Sequence, residues 1–190
     1  HYNDLFRCET PFFAGNGDVS EFVKKYQELY EKAEHKGLIC IPSGNHDMDR
    51  LARTIKGEKQ KVAFAFLLTM PGAPFIYYGD EIGMRYVEGL TSVEGGFGRT
   101  GSRSPMQWDD SDNAGFTTGK PWLKINPNYK EINVKEALAD PESVVHYMQK
   151  LIRMRKENPV AVYGVYKEYQ HDNEQLFLYE RVLEEEGQKA

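Results

Sequence analysis

The stretch "LICIPSGNHDMDR", residues 38–50, decides the fold of this chain. Its first five residues are an uninterrupted apolar run, which is typical of a parallel strand buried on both faces. A Pro-Ser-Gly corner follows, and then Asn45, His46 and Asp47 place an amide, an imidazole and a carboxylate side by side. Three such side chains where a buried strand ends indicate either a polar turn that caps the next helix or a catalytic strand end.

The segments around this strand alternate between helical and strand patterns. Asp18 and Glu21 predict a capping box, and the apolar residues after them recur at helical spacing. The apolar segment 61–70 predicts a helix packed on a sheet, "PGAP" at 71–74 predicts a break, and "FIYYG" at 75–79 predicts a second buried strand. Helices and strands that alternate with short connections predict an α/β protein with parallel strands.

The second half of the chain has a different character. Residues 83–140 are rich in Gly, Ser, Asn, Asp and Pro and hold both tryptophans, and a loop of this length is usually functional. Residues 141–159 predict a helix that starts at Pro141 and has a solvated charged face. From Val162 onward the residues alternate like the strands of a hairpin around "HDN", which predicts the start of a β-rich domain over 160–190.

Composition excludes several classes of partner. The 190 residues carry a net charge of −5, which argues against a nucleic-acid or membrane-surface partner. No apolar run reaches the roughly 20 residues of a membrane helix. Cys8 and Cys40 have no metal-like spacing and fit a reducing compartment, so we expect a cytoplasmic protein, although the chain opens at His1 without an initiating Met.

The residues at the two strand ends suggest chemistry on carbohydrates. A carboxylate beside an imidazole can stabilise positive charge and bind vicinal hydroxyls, as hydrolysis of a glycosidic bond requires. Asp80 and Glu81 follow the second predicted strand, where a polar turn is the alternative to a catalytic role. A helix cap is the more common role for an isolated Asn-His-Asp sequence, so the residues alone leave both interpretations of Asp47 open.

Three linked motifs favour the catalytic interpretation. "SGNHD", "TMPGAPFIYYGDEIGM" and "GSRSPMQWDDSDNAGFT" occur in this order, and together they resemble the α-amylase family of glycoside hydrolases. The likeness is greatest to its α-glucosidase, oligo-1,6-glucosidase and trehalose-synthase-like branch, and it covers nearly the whole chain.

The resemblance implies a fold and a set of site residues. The family fold is a (β/α)8 barrel followed by a β-sandwich, so residues 1–159 would be the last three βα units of the barrel and 160–190 the first strands of the sandwich. "HYNDLF", at the start of the chain, would be the sixth barrel strand. By this resemblance Asp47 is the catalytic carboxylate that binds sugar hydroxyls, and His46 hydrogen-bonds the same sugar. Arg103 helps to recognise the glucose at the non-reducing end, Asn45 holds the strand end, and Glu81 is structural.

The family's nucleophilic Asp and acid/base Glu lie on the fourth and fifth strands, which the resemblance places before His1. We therefore expect a fragment of a retaining hydrolase of malto- or isomalto-oligosaccharides that is inactive alone. Alternatives are a transglycosylase, such as a trehalose-forming isomerase, and a non-catalytic carbohydrate-binding or partner module. We expect no cofactor. Calcium is possible in the whole enzyme, but no site for it is identifiable here. Exposed barrel edges would favour self-association.

Overall fold

The computed structural model describes residues 10–33, 36–91 and 97–184. The predicted sixth barrel strand at the start of the chain lies outside these residues. The six α-helices and four strands of the described part are, in chain order, α1 (Thr10–Phe13), α2 (Ser20–Ala33), β1 (Cys40–Pro42), α3 (Glu58–Thr69), β2 (Ala73–Phe75), α4 (Val134–Ala139), α5 (Val144–Glu157), α6 (Pro159–Tyr163), β3 (Val165–Tyr169) and β4 (Leu178–Val182).

Strands β1 and β2 pair in parallel, as the βα pattern predicts. Cys40 lies opposite Ala73 and Pro42 opposite Phe75. The prediction for the second strand was wrong in its position, because the pairing covers 73–75 rather than 75–79. In a parallel pair, every second residue directs its N–H away from the partner strand. Pro74 occupies such a position, so its missing N–H removes no hydrogen bond between β1 and β2. The chain leaves the sheet after Phe75, where the Phe75 carbonyl accepts from Ser43 N at 2.8 Å.

The core lies where helices α2 and α3 meet. Phe22 and Tyr26 of α2 are fully buried, as the helical spacing of the apolar residues in that helix predicts, and Phe64 of α3 is fully buried with them. Helix α3 is apolar around most of its surface, because it is buried between its neighbours rather than amphipathic. The hydroxyl of Tyr26 donates to the Pro71 carbonyl at 2.8 Å and so ties α2 to the turn that precedes β2.

The predicted hairpin is present as the antiparallel pair β3–β4, in which Val165 lies opposite Val182. One face of the hairpin packs on the helices: Tyr166 is buried in the same core as Tyr26, and their rings meet edge to face at 5.6 Å. The Tyr179 hydroxyl contacts the Thr69 hydroxyl at the end of α3. The hairpin is therefore attached to the α/β part through a shared aromatic core.

Helix α5 differs in two ways from its prediction. It begins at Val144, after the N-cap Ser143, whose side chain accepts from His146 N, and not at Pro141. Its charged face is not wholly solvated, because Arg155 is buried and donates to the carbonyls of Leu68 and Met70 at the end of α3. These carbonyls have no partner within their own helix, and the guanidinium supplies one. Of the described helices, none is long and apolar enough to cross a membrane.

Candidate active site

Asn45, His46 and Asp47 form a tight turn directly after β1. The Asn45 side-chain oxygen accepts from Asp47 N at 2.8 Å, and the Asn45 carbonyl accepts from Met48 N at 3.2 Å. An Asn that binds the backbone two residues ahead stabilises such a turn locally. The side chains of His46 and Asp47 remain 66% and 45% exposed, so both are open to a ligand at the carboxyl end of the strand.

Asp47 is surrounded by cationic and imidazole groups. Arg103 Nη2 lies 2.9 Å from Asp47 Oδ1, and Arg99 Nη1 lies 3.3 Å from the same oxygen. His46 Nε2 lies 3.3 Å from the second oxygen, Oδ2. Arg103 also donates from Nε to the His46 carbonyl at 2.9 Å. The planar guanidinium of Arg103 thus binds backbone and carboxylate of the turn together, which fixes its orientation.

The segment that carries both arginines is a 3-10 helix, Phe97–Arg103, and two tyrosines after β2 hold its end. The Tyr77 hydroxyl donates to the Ser102 carbonyl at 3.2 Å, and the Tyr78 hydroxyl donates to the Ser104 carbonyl at 2.8 Å. Gly101 is required here for space, because a Cβ at this position would lie 2.2 Å from the Val87 carbonyl oxygen.

Beneath the turn lies a fully buried ion pair. Arg50 Nη1 is 3.5 Å from Asp80 Oδ1, and both side chains have no exposed surface. Asp80 Oδ2 accepts from the Ser43 hydroxyl at 2.7 Å, and the Arg50 guanidinium lies over the rings of Tyr77 and Tyr78, at 5.0 and 4.6 Å from their centres. Burial raises the pKa of Asp80 to about 6, although Arg50 and Ser43 act in the opposite direction.

The other acids near the turn already have partners or are shielded. Asp49 Oδ1 lies 2.7 Å from Arg53 Nη1, and Glu88 Oε1 lies 3.0 Å from Arg53 Nε. Burial raises the pKa of Glu81, whose Oε2 has no hydrogen-bond partner in the described part of the chain. Asp80 and Glu81 thus lie in a 3-10 turn, the first buried and the second half-buried, rather than in an open catalytic position.

The structure brings together all four residues predicted for the site, namely Asn45, His46, Asp47 and Arg103. Sequence reasoning missed Arg99, although it lies only four residues before Arg103 in the same loop. It also missed Arg50, because a charged residue close to a polar turn is expected to be exposed.

Two cavities of the described part lie away from the turn. One of them, of about 720 Å³, lies between α2 and the hairpin and is lined by Val23, Tyr166 and Phe177 among others. The described residues contain no group of three or more His, Cys, Asp or Glu that could hold a metal ion. Asp47 and its neighbours are therefore the clearest candidate for chemistry in this part of the molecule.

Comparison with known proteins identifies the family. The family profile described as "Alpha amylase, catalytic domain" matches residues 13–164. The chain belongs to the α-amylase family. Among the curated relatives of this chain, the oligo-1,6-glucosidase of Parageobacillus thermoglucosidasius is 38% identical to it, and the match covers 87% of this chain and 35% of the relative's length. The glucan 1,6-alpha-glucosidase of Streptococcus pneumoniae is 42% identical over 72% of this chain and 32% of its own length.

Solved structures of the same α-amylase branch are also similar. An inactive double mutant of MutB in complex with isomaltulose has a TM-score of 0.77 and 31% identity to this chain. The match covers 88% of this chain and 36% of the MutB chain. An isomaltulose synthase mutant from Erwinia rhapontici in complex with sucrose gives 0.76 at 33% identity, over 87% of this chain and 36% of its own. Family membership implies the TIM-barrel fold of the catalytic domain. This chain spans about a third of the length of these relatives.

Proposed function

We propose that this chain supplies the substrate-binding side of the active site of a retaining α-glucosidase that acts on malto- or isomalto-oligosaccharides. The observation that carries the proposal is the arrangement around Asp47: a half-exposed carboxylate at the end of a parallel strand, with Arg103 at 2.9 Å and His46 at 3.3 Å. The relatives' names, oligo-1,6-glucosidase and glucan 1,6-alpha-glucosidase, support activity on α-glucosidic bonds.

Each residue of the arrangement has a role that its contacts allow. Asp47 accepts hydrogen bonds from two neighbouring sugar hydroxyls and stabilises the positive charge of an oxocarbenium-like transition state. His46, mostly exposed beside it, hydrogen-bonds the same sugar. Arg103 orients Asp47 and offers its remaining N–H groups to a sugar oxygen. Asn45 holds the turn so that the two side chains are presented together.

The proposal also covers the rest of the barrel. In this proposal residues 1–159 are the last three βα units of a (β/α)8 barrel and 160–190 are the first strands of a β-sandwich. A retaining mechanism uses two carboxyl groups roughly 5 to 5.5 Å apart as nucleophile and acid. Of the described acids nearest the turn, Asp49 and Glu88 bind Arg53, and Asp80 is buried. The nucleophile and acid would therefore come from other strands, and the 190-residue chain alone would not turn over substrate.

Binding and turnover are tested separately on the 190-residue chain. Calorimetric titration with isomaltose and with maltose should show weak binding that Asp47→Ala abolishes, whereas a chromogenic α-glucoside should give no turnover above a buffer blank. Asp49→Ala is the matched control, because Asp49 is an exposed neighbour that binds Arg53. Turnover that Asp47→Ala abolishes would contradict inactivity of the chain, and the absence of sugar binding would contradict the proposed site.

A second candidate is transfer of the glucosyl group to a sugar rather than to water. It is favoured by the similar solved structures, which are named as a trehalulose synthase and an isomaltulose synthase. Product analysis of a complete enzyme that contains this chain would decide between the two. Glucose release would support hydrolysis, and an isomeric disaccharide would support transfer. A non-catalytic binding module, the third alternative, would bind sugar yet show no product in that same enzyme.

Self-association through the sheet is part of the proposal. Phe75 of β2 is 56% exposed and Leu38, just before β1, is 72% exposed, so apolar surface lies beside this parallel pair. Light scattering at high protein concentration should show an oligomer. A monomer across the concentration range would contradict this.

A further inference from the structure

We propose that the buried pair Arg50–Asp80, together with Tyr77 and Tyr78, is a positioning device that holds Arg103 against Asp47. Its consequence for sugar binding rests on the function proposed above. The positioning itself does not depend on that function. None of these four residues touches a sugar in this proposal, and they act through the arginine segment Phe97–Arg103 and through the backbone of the Asp47 turn.

A continuous set of contacts links the pair to the candidate site. Asp80 and Arg50 lie 3.5 Å apart, and Arg50 Nη1 donates to the carbonyl of Tyr78. The guanidinium also lies against the rings of Tyr77 and Tyr78, which restricts the orientation of both tyrosines.

The two tyrosines transmit this orientation to the arginine segment. Their hydroxyls donate to the carbonyls of Ser102 and Ser104, the residues on either side of Arg103. Because both neighbours of Arg103 are held, its guanidinium is directed at the His46 carbonyl and at Asp47.

The second connection runs along the backbone. Arg50 is three residues after Asp47 and begins a short 3-10 helix, Leu51–Arg53, so its anchored side chain also fixes the end of the Asp47 turn. On the opposite side of the pair, Ser43 donates to Asp80 from the corner just before the turn, and Ser43 Oγ accepts from Tyr77 N at 2.9 Å. The pair therefore contacts residues of both the Asp47 turn and the segment that holds Arg103, which must meet at the site.

The pair is poorly built for stability, which argues for a positioning role. Arg50 Nε, Arg50 Nη2 and Asp80 Oδ1 are buried without a hydrogen-bond partner among the described residues. A buried ion pair stabilises a fold only when its remaining donors and acceptors are satisfied, and an apolar pair of similar volume is often equally stable or more so. What an apolar pair cannot supply is the hydrogen bond to Tyr78 and the contact of a cation with two aromatic rings.

The test measures the Arg103 side chain directly in the 190-residue chain. Nuclear magnetic resonance of protein labelled with ¹⁵N-arginine gives the hydrogen-exchange rate of Arg103 Nε–H, which donates to the His46 carbonyl. In Tyr77→Phe/Tyr78→Phe, which keeps both rings but removes both hydroxyls, we expect this rate to rise about tenfold or more, because the held state becomes less populated. Asp49→Asn is the control and should leave the rate unchanged.

A second variant separates positioning from stability. Arg50→Met/Asp80→Leu should unfold at the same temperature as the wild type or higher, and yet show the same rise in Arg103 exchange. If Arg103 remains as protected as in the wild type in either double variant, the positioning role is wrong. Because this variant replaces both charges, it leaves no unpaired buried ion that would prevent folding.

Sugar titration then tests the link to function. We expect affinity for isomaltose to fall about tenfold or more in both double variants, because a displaced Arg103 no longer orients Asp47. If the wild-type chain does not bind sugar at all, the proposed function fails while the exchange measurement still decides the positioning role. If sugar binding is unchanged although Arg103 exchange has risen, the positioning role is supported and its proposed consequence for sugar binding is overturned.

Discussion

The buried Arg155 should be a major determinant of stability, and Arg155→Met tests this. Its Nη1 donates to the carbonyls of Leu68 at 2.8 Å, Met70 at 3.2 Å and Ala161 at 2.9 Å, and its Nη2 donates to Gly72 at 2.8 Å. Methionine replaces most of the aliphatic volume of arginine but none of its donors. The substitution therefore isolates the capping of helix α3 from its packing.

The expected loss in the free energy of unfolding depends on which carbonyls lose their hydrogen-bond donor. Ala161 keeps a second donor, because Arg181 Nη1 also binds its carbonyl at 3.1 Å. Leu68, Met70 and Gly72 lose the Arg155 donor, and each buried acceptor without a partner costs about 1–3 kcal/mol. Water will reach some of them, so we expect the free energy of unfolding to fall by about 3–5 kcal/mol in total.

Urea unfolding followed by tryptophan fluorescence and by circular dichroism measures this change. With a slope of about 2 kcal/mol/M, the midpoint should fall by roughly 1.5–2.5 M. Arg153→Met is the matched control, because Arg153 is exposed two residues earlier on the same helix, and it should shift the midpoint little. A loss below about 1 kcal/mol for Arg155→Met, similar to that of Arg153→Met, would refute the capping argument.

Three further outcomes are expected. The pKa of Asp80 is raised by burial from 3.8 to about 6, so the folded protein binds more protons than the unfolded chain between these values. The stability of the wild type relative to Asp80→Asn should therefore fall by about 2 kcal/mol between pH 4 and pH 7 in urea titrations, and a constant difference would contradict the raised pKa. Gly101→Ala should lower the melting temperature by about 5 °C or more, since its Cβ would meet the Val87 carbonyl, whereas Gly98→Ala has open space and should not. Arg53→Met removes exposed ion pairs and should cost less than about 1 kcal/mol, with the loss vanishing in 1 M salt. The Arg53 guanidinium also lies over the ring of Tyr86, 4.2 Å from its centre, so a large loss that persists in salt would show that this packing matters more.

The spacing of apolar residues predicted helices and strands well where one face of the element is buried and the other is exposed. The helical spacing of Phe22 and Tyr26 predicted α2, and the alternation after Val162 predicted the hairpin, because each apolar face must be covered by another element. The start of α5 was placed at Pro141 instead of Val144, since a Pro at N1 is only one of several ways to begin a helix. The second strand was placed two residues too late, because the apolar run continues past Phe75 into tyrosines that serve the site rather than the sheet.

By itself, the sequence determined the α/β pattern and the family resemblance, because residue type and order along the chain carry that information. The meeting of Asn45, His46, Asp47 and Arg103 was implied by that resemblance and not by any local pattern. Only the tertiary structure showed that Arg99 also faces Asp47 and that Arg50, Asp80 and Arg155 are buried. A charged side chain is buried only when distant carbonyls, rings or counter-charges surround it. Most of those partners are distant along the chain: Tyr78 is 28 residues from Arg50, and Leu68 is 87 residues from Arg155, separations that no local pattern records.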